Sequence, residues 1–132
     1  MPSSTWPNRL ARAFALLRGA MVVLFSVSLI IVPERVMAGS STEPARSLAL
    51  VFASRSILLG SLLVVLAIRG KREGLAWVLL ADAALQLFDT GMALATHKGA
   101  LAVLPAALGA MDVWVALFLL RAARVPPASP AH

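Results

Sequence analysis

Asp82, Asp89 and Asp112 are the side chains of this 132-residue sequence best placed to do chemistry, because each sits inside a run of residues apolar enough for lipid. At the centre of a membrane helix an aspartate or arginine costs about 2.5–3.5 kcal/mol, whereas each Leu, Val or Phe returns only about 0.3–0.6 kcal/mol. All three glutamates, Glu34, Glu43 and Glu73, fall in expected loops, and all three aspartates fall in expected spans. Two carboxylates held close together in a low dielectric cannot both ionise cheaply, which is how an acid/base pair or a proton-binding site is built. Ionisable groups in that setting are functional candidates by default.

Helical geometry gathers these groups into stripes. Asp82, Gln86, Asp89 and Ala93 fall at i, i+4, i+7 and i+11, on one face about 16 Å long. Pro105, Gly109, Asp112 and Ala116 make a matching stripe, small enough for close helix approach. Ala53, Ser56 and Gly60 have small-residue spacing, with Arg55 beside them. At 1.5 Å per residue, Arg55 and Asp89 each lie about 10–12 Å from the outer ends of their segments. Arg18, Asp82 and Asp112 each lie about 10–12 Å from the opposite ends. The expected polar core is therefore an outer layer, Arg55 with Asp89, and an inner layer, Arg18 with Asp82 and Asp112. The catalytic candidates are Asp82, Asp112, Asp89 and Arg55. The plainer alternative is that these groups are ion pairs that fix helix order, with Arg18 snorkelling to the headgroups.

Four apolar segments must position these residues: about 11–32, 47–68, 75–96 and 100–120. Each is close to the ~20 residues that cross ~30 Å of hydrocarbon as a helix. Composition agrees. With 60% hydrophobic and 14% charged residues, too little polar surface exists to cover a soluble globule. No ten-residue alternation recurs, so strands are not expected. The expectation is an all-α integral membrane protein: one domain, 1–132, with four antiparallel helices in an up-down bundle. Pro105 is expected to kink the fourth helix and free a carbonyl.

Composition also excludes. There is no cysteine, hence no disulfide, thiolate site or cysteine nucleophile. His97 and His132 are too few and too scattered for an ordinary zinc site, and no Walker loop, nucleophile elbow, dinucleotide fingerprint or metalloprotease helix is present. No metal and no cofactor is expected. The net charge of +6 flanks apolar segments instead of gathering with aromatics, so the expected partner is the lipid bilayer and not nucleic acid. Trp77, and Trp6 with it, fit interfacial positions; Trp114 reads as packing and His97 as a solvated loop residue.

Arg9, Arg12, Arg69, Lys71, Arg72, Arg121 and Arg124 border one side of the segments, against Arg35, Arg46 and Lys98 on the other. That asymmetry places both termini in the cytoplasm of a cell with an inner membrane. A competing reading takes Arg9, Arg12 and Arg18, the run to Val32 and Val36-Met37-Ala38 as a secretory signal with a V-x-A cleavage site. Against it stand the length of the run and the charges at Glu34 and Arg35.

RSILLG at 55–60, the basic turn RGKREG at 69–74 and FDTGMAL at 88–94 resemble the small four-helix membrane proteins of domain-of-unknown-function family 4267. That group tends to have an arginine and then a glycine five residues on in helix two, a short basic loop, and an aspartate late in helix three. Arg55, Gly60 and Asp89 match; Ser56 stands where members often have an acidic residue. The resemblance covers about 48–122 and implies four helices with Arg55 and Asp89 as the shared polar pair, but no reaction.

Three functions fit these residues. The first is a structural or accessory protein, self-associating or paired with a membrane subunit. The second is an enzyme acting on a lipophilic, isoprenoid- or sterol-like ligand with Asp82 and Asp112 as acid and base. The third is a proton-linked carrier of a small molecule. Orientation is checked first: reporter fusions after Ser40, Lys71, Lys98 and Ala131 are expected to read outside, inside, outside and inside. A cytoplasmic signal at Ser40 overturns the charge-based orientation, and a mature N-terminus at Gly39 establishes the cleaved signal instead.

Overall fold

The computed structural model describes residues 6–36, 42–43, 45–97 and 99–124. The V-x-A motif beyond Val36, Lys98 and the proline-rich tail lie outside the described residues, as do the side chains of Trp6 and Leu101. Five helices follow in order: α1 (Trp6–Ile31), α2 (Pro33–Val36), α3 (Ala45–Arg69), α4 (Arg72–Ala95) and α5 (Gly99–Arg124). Among the described residues there is no strand. Four helices, all but α2, are long and apolar enough to cross a membrane. At 24–26 residues they are about 36–39 Å long, which exceeds the hydrocarbon thickness and carries their ends into the headgroup region.

The ends follow from local chemistry. Val32 donates to Ser28 O at 2.8 Å and then bends. Pro33 has no N–H to extend that ladder, but it is well suited to begin α2, where a missing donor costs nothing. The segment 33–46 read as a loop thus contains a short helix. Glu34 and Glu73 lie in the first turns of α2 and α4, where the helix dipole favours an acid, rather than in loops. Gly70 closes α3 with φ 65° and an N–H to Ala67 O at 3.2 Å. The same closure recurs at α4, where His97 has φ 58° and donates to Leu94 O at 3.0 Å. The left-handed residue there is a histidine, which carries a steric cost, although Gly99 stands two residues away. α5 runs through Pro105 without a break in its assigned span.

The chain divides into two compact units, Met1–Gly70 and Lys71–His132. In the first, α1 packs on α3 through bare backbone. A Cβ on Gly19 would lie 2.7 Å from Gly60 O, and one on Gly60 would lie 2.9 Å from Gly19 O. Seven residues earlier on α1 and seven later on α3, Arg12 Nε donates to Ala67 O at 3.0 Å and a terminal nitrogen donates to Ile68 O at 3.2 Å. The start of α1 therefore lies beside the end of α3. Seven residues the other way, Ser26 and Ala53 are both fully buried. Positions 53, 60 and 67 of α3 thus supply Ala, Gly and Ala to the contact.

In the second unit α4 packs on α5. The α4 face includes Leu75, Leu79 and Asp82, and the α5 face includes Ala102, Gly109, Asp112, Ala116 and Leu119; all are buried. The α4 list, and the α5 list from Gly109 onward, alternate steps of three and four residues, and Ala102 stands seven residues before Gly109, the spacing of a helix–helix seam. A Cβ on Gly109 would lie 3.1 Å from Gln86 Cβ and 3.5 Å from Ala83 O.

The glycines differ in what surrounds them, and so should their variants. Gly19→Ala and Gly60→Ala each drive a methyl into backbone that cannot rotate away, and each is expected to lower stability in detergent by about 1–3 kcal/mol. Gly91 has nothing within 4 Å of its added Cβ. Gly91→Ala is expected to be neutral or to gain up to about 1 kcal/mol from helix propensity. Thermal unfolding of the three variants checks the ranking.

Candidate intramembrane polar site

α4 and α5 bring two aspartates to one level. Gly109 seats against Ala83, Gln86 and Leu87. Gly99 opens α5 four residues after Ala95 closes α4, and ten residues on Gly109 meets residues 83–87. Asp112 lies one turn after Gly109, and Asp82 lies one turn before Gln86. Asp112 is 0% exposed and Asp82 is 6% exposed. Both occupy seam positions, where a polar group is held by its neighbours and not by lipid. Gln86 and Asp89 continue the α4 stripe toward its C-terminal end and are half-buried. Thr90, beside them, donates its hydroxyl to Gln86 O at 2.7 Å and so satisfies itself within the helix.

The first unit carries the intramembrane cations. Arg18 is 8% exposed and directly precedes the crossing glycine, Gly19. Its burial means that it is not extended along the lipid-facing surface of α1. Arg55 is half-buried, with its guanidinium carbon 5.3 Å from the centre of the Phe52 ring. That distance is within cation–π range, worth about 0.5–2 kcal/mol depending on hydration. Helical side chains tilt toward the N-terminus, so a partner three residues earlier is the natural one. The sequence reading did not include Phe52; its i, i+3 spacing from Arg55 is the signal that identifies it.

Arg12 also has a role that the sequence reading did not assign. It entered as a topology charge, but its guanidinium caps the last carbonyls of α3, where the dipole end is negative. No local pattern announces a bond between residues so far apart in the chain. Trp77 and Trp114 are both exposed, Trp114 at 72%, so Trp114 is an outward-facing side chain and not part of the core expected of it. His97 is exposed at the end of α4, as a loop residue would be. Among the described residues, no group of three or more His, Cys, Asp and Glu side chains is arranged to hold a metal ion.

A family model described as Domain of unknown function (DUF4267) matches residues 19–121, well over half of the chain. The protein belongs to that family. The DUF4267 match begins at the crossing glycine, Gly19, and takes in Arg55, Gly60, Asp82, Gln86, Asp89, Gly109 and Asp112. It takes in residues 19–31 of α1, which the resembling stretch 48–122 does not include. Arg9, Arg12 and Arg18 lie outside it. The DUF4267 description carries no activity. No curated protein and no solved structure matches the chain.

Gly109 is the contact that sets the spacing of the two aspartates. Gly109→Ala meets Gln86 Cβ, needs the two helices to part by a few tenths of an ångström, and is expected to cost about 1 kcal/mol. Gly109→Leu has no room against Ala83 O and is expected to cost about 1–3 kcal/mol. It should also speed hydrogen exchange in the middle of α4 and α5. Equal melting temperatures for the two variants would show that the helices do not meet at this glycine.

Proposed function

We propose that this is a small structural or accessory protein of the bacterial inner membrane, with four antiparallel helices, cytoplasmic termini and an intramembrane core of Arg18, Arg55, Asp82, Gln86, Asp89 and Asp112. The observation that carries the reading is how charge divides between the helices. The cations that lie six or more residues from either end of a span, Arg18 and Arg55, stand on α1 and α3; the three aspartates, equally deep, stand on α4 and α5. Each helix pair alone carries a charge that hydrocarbon penalises. Complementary pairs gain from association, and such complementarity fixes partner and register more than it adds raw stability. Arg12 beside Ala67 and Gly19 beside Gly60 support antiparallel order in the first pair. The three-residue connection 96–98 supports it in the second.

A second reading draws on Asp82 and Asp112, two buried carboxylates level with each other on facing helices. That is the geometry an enzyme of lipophilic substrates would use as acid and base, or a carrier as a proton site. Mass spectrometry of compounds that co-purify with the protein separates the two. A stoichiometric lipophilic metabolite lost on Asp82→Asn favours the second reading, and its absence favours the first.

The structural reading is tested on the depth-matched residues Arg55 and Asp89. Arg55→Ala and Asp89→Ala each strand a charge in low dielectric, and each is expected to cost about 3–5 kcal/mol in detergent. Replacing both with apolar residues should recover much of that loss, as should the exchange of Arg55→Asp with Asp89→Arg. Harmless singles, or a double variant that costs the sum of the two, count against the polar core.

A further inference from the structure

The bonds from Arg12 leave an unusual group at one end of the first unit. Arg12 spends two of its five guanidinium N–H donors on Ala67 O and Ile68 O, yet its side chain stays exposed. Arg9 precedes it by one turn on α1, on the same face, and the register that joins Arg12 to Ala67 sets Arg9 level with Arg69 and Gly70. Arg9 and Arg69 are both exposed. Lys71 and Arg72 follow directly in the chain and are exposed too.

We propose that Arg9, Arg12 and Arg69 form a binding site for the phosphodiester of an anionic phospholipid. Three features support it. Arg12 is a planar fork already fixed by the helix end, so its remaining donors present phosphate with a pre-ordered partner. The α3 C-terminus offsets only about half a charge, so the three arginines keep a net positive field. The far end of the same helix pair has no such excess: among the described residues there, Arg35 and Arg46 are balanced by Glu34 and Glu43.

Depth selects a lipid as the source of the phosphate. α1 and α3 are longer than the hydrocarbon is thick, so a rim made of the start of one and the end of the other lies at headgroup level. Trp77, exposed five residues after Arg72 near the start of α4, fits an interfacial anchor. Arg9 and Arg12 precede the family match. The site rests on the membrane reading of the four helices and is independent of the aspartates: melting without lipid reports on the polar core, and the lipid-induced change reports on this site.

The full-length protein, stripped of lipid in a neutral detergent, is tested with phosphatidylglycerol, phosphatidylcholine and inorganic phosphate. Thermal unfolding and native mass spectrometry are the readouts. Phosphatidylglycerol is expected to stay bound and raise the melting temperature, while phosphatidylcholine and inorganic phosphate do neither. Because Arg12→Ala also uncaps α3, the variant of choice is Arg9→Gln with Arg69→Gln. It should melt like the parent without lipid and bind phosphatidylglycerol on the order of tenfold more weakly. Arg9→Lys with Arg69→Lys should keep most of the binding. Equal response to the two lipids, an inorganic phosphate effect matching that of phosphatidylglycerol, or undiminished binding in the glutamine variant would overturn the site.

Discussion

Hydrocarbon offers no hydrogen-bond partner, so every backbone amide and every charge within the spans must be answered by the protein itself. Long helices follow at once, since only a helix answers its amides within one segment. The constraint then acts on contacts between helices. Lipid is as apolar as a leucine, so burying leucine gains little, and what holds two helices together is close packing and polar contact. The exposed and buried sets reflect this. Leu17, Leu58, Phe88 and Trp114 face outward, while Ala15, Ala53, Gly60, Gly109 and Asp112 are buried.

The two helix pairs meet that demand differently. The first brings backbone against backbone at Gly19 and Gly60, with no side chain between. Its specificity is steric, because nothing larger than hydrogen fits. The second has a single tight glycine, Gly109, against Gln86 Cβ, and places carboxylates one turn away. Its specificity is chemical. A methyl at the first contact meets a carbonyl at 2.7–2.9 Å, and a methyl at the second meets Gln86 Cβ at 3.1 Å, a smaller overlap. The family match includes both devices, from Gly19 through Asp112.

What was legible in the sequence were properties of one helix at a time. The four spans, their ends to within a few residues, the α4 stripe and the small residues of α3 all follow from hydropathy and spacing along a single segment. What was not legible depends on a partner. Arg12 reads as a topology charge until α3 is seen to end beside it. His97 reads as a loop residue, and only the closure of α4 gives it the left-handed conformation that Gly99 was better suited to take. Pro33 reads as a stop, correctly, but its second role as the first residue of α2 depends on the chain turning there. Trp114 falls at a depth that suggests packing, and its outward direction is fixed by the seam of Asp112, Ala116 and Leu119 on the other face of α5.

The bonds from Arg12 span 55 and 56 residues of sequence. A ribosome delivers the guanidinium long before the carbonyls it will hold, and during that interval α1 waits with its charged end uncommitted. Once Ile68 has emerged, everything the first hairpin needs has been made: the arginine, the crossing glycines and the glycine that ends α3 all lie at or before residue 70. Domains made in sequence generally fold in sequence. The relative direction of the first two long helices is thus sealed by a side chain before the first aspartate is translated.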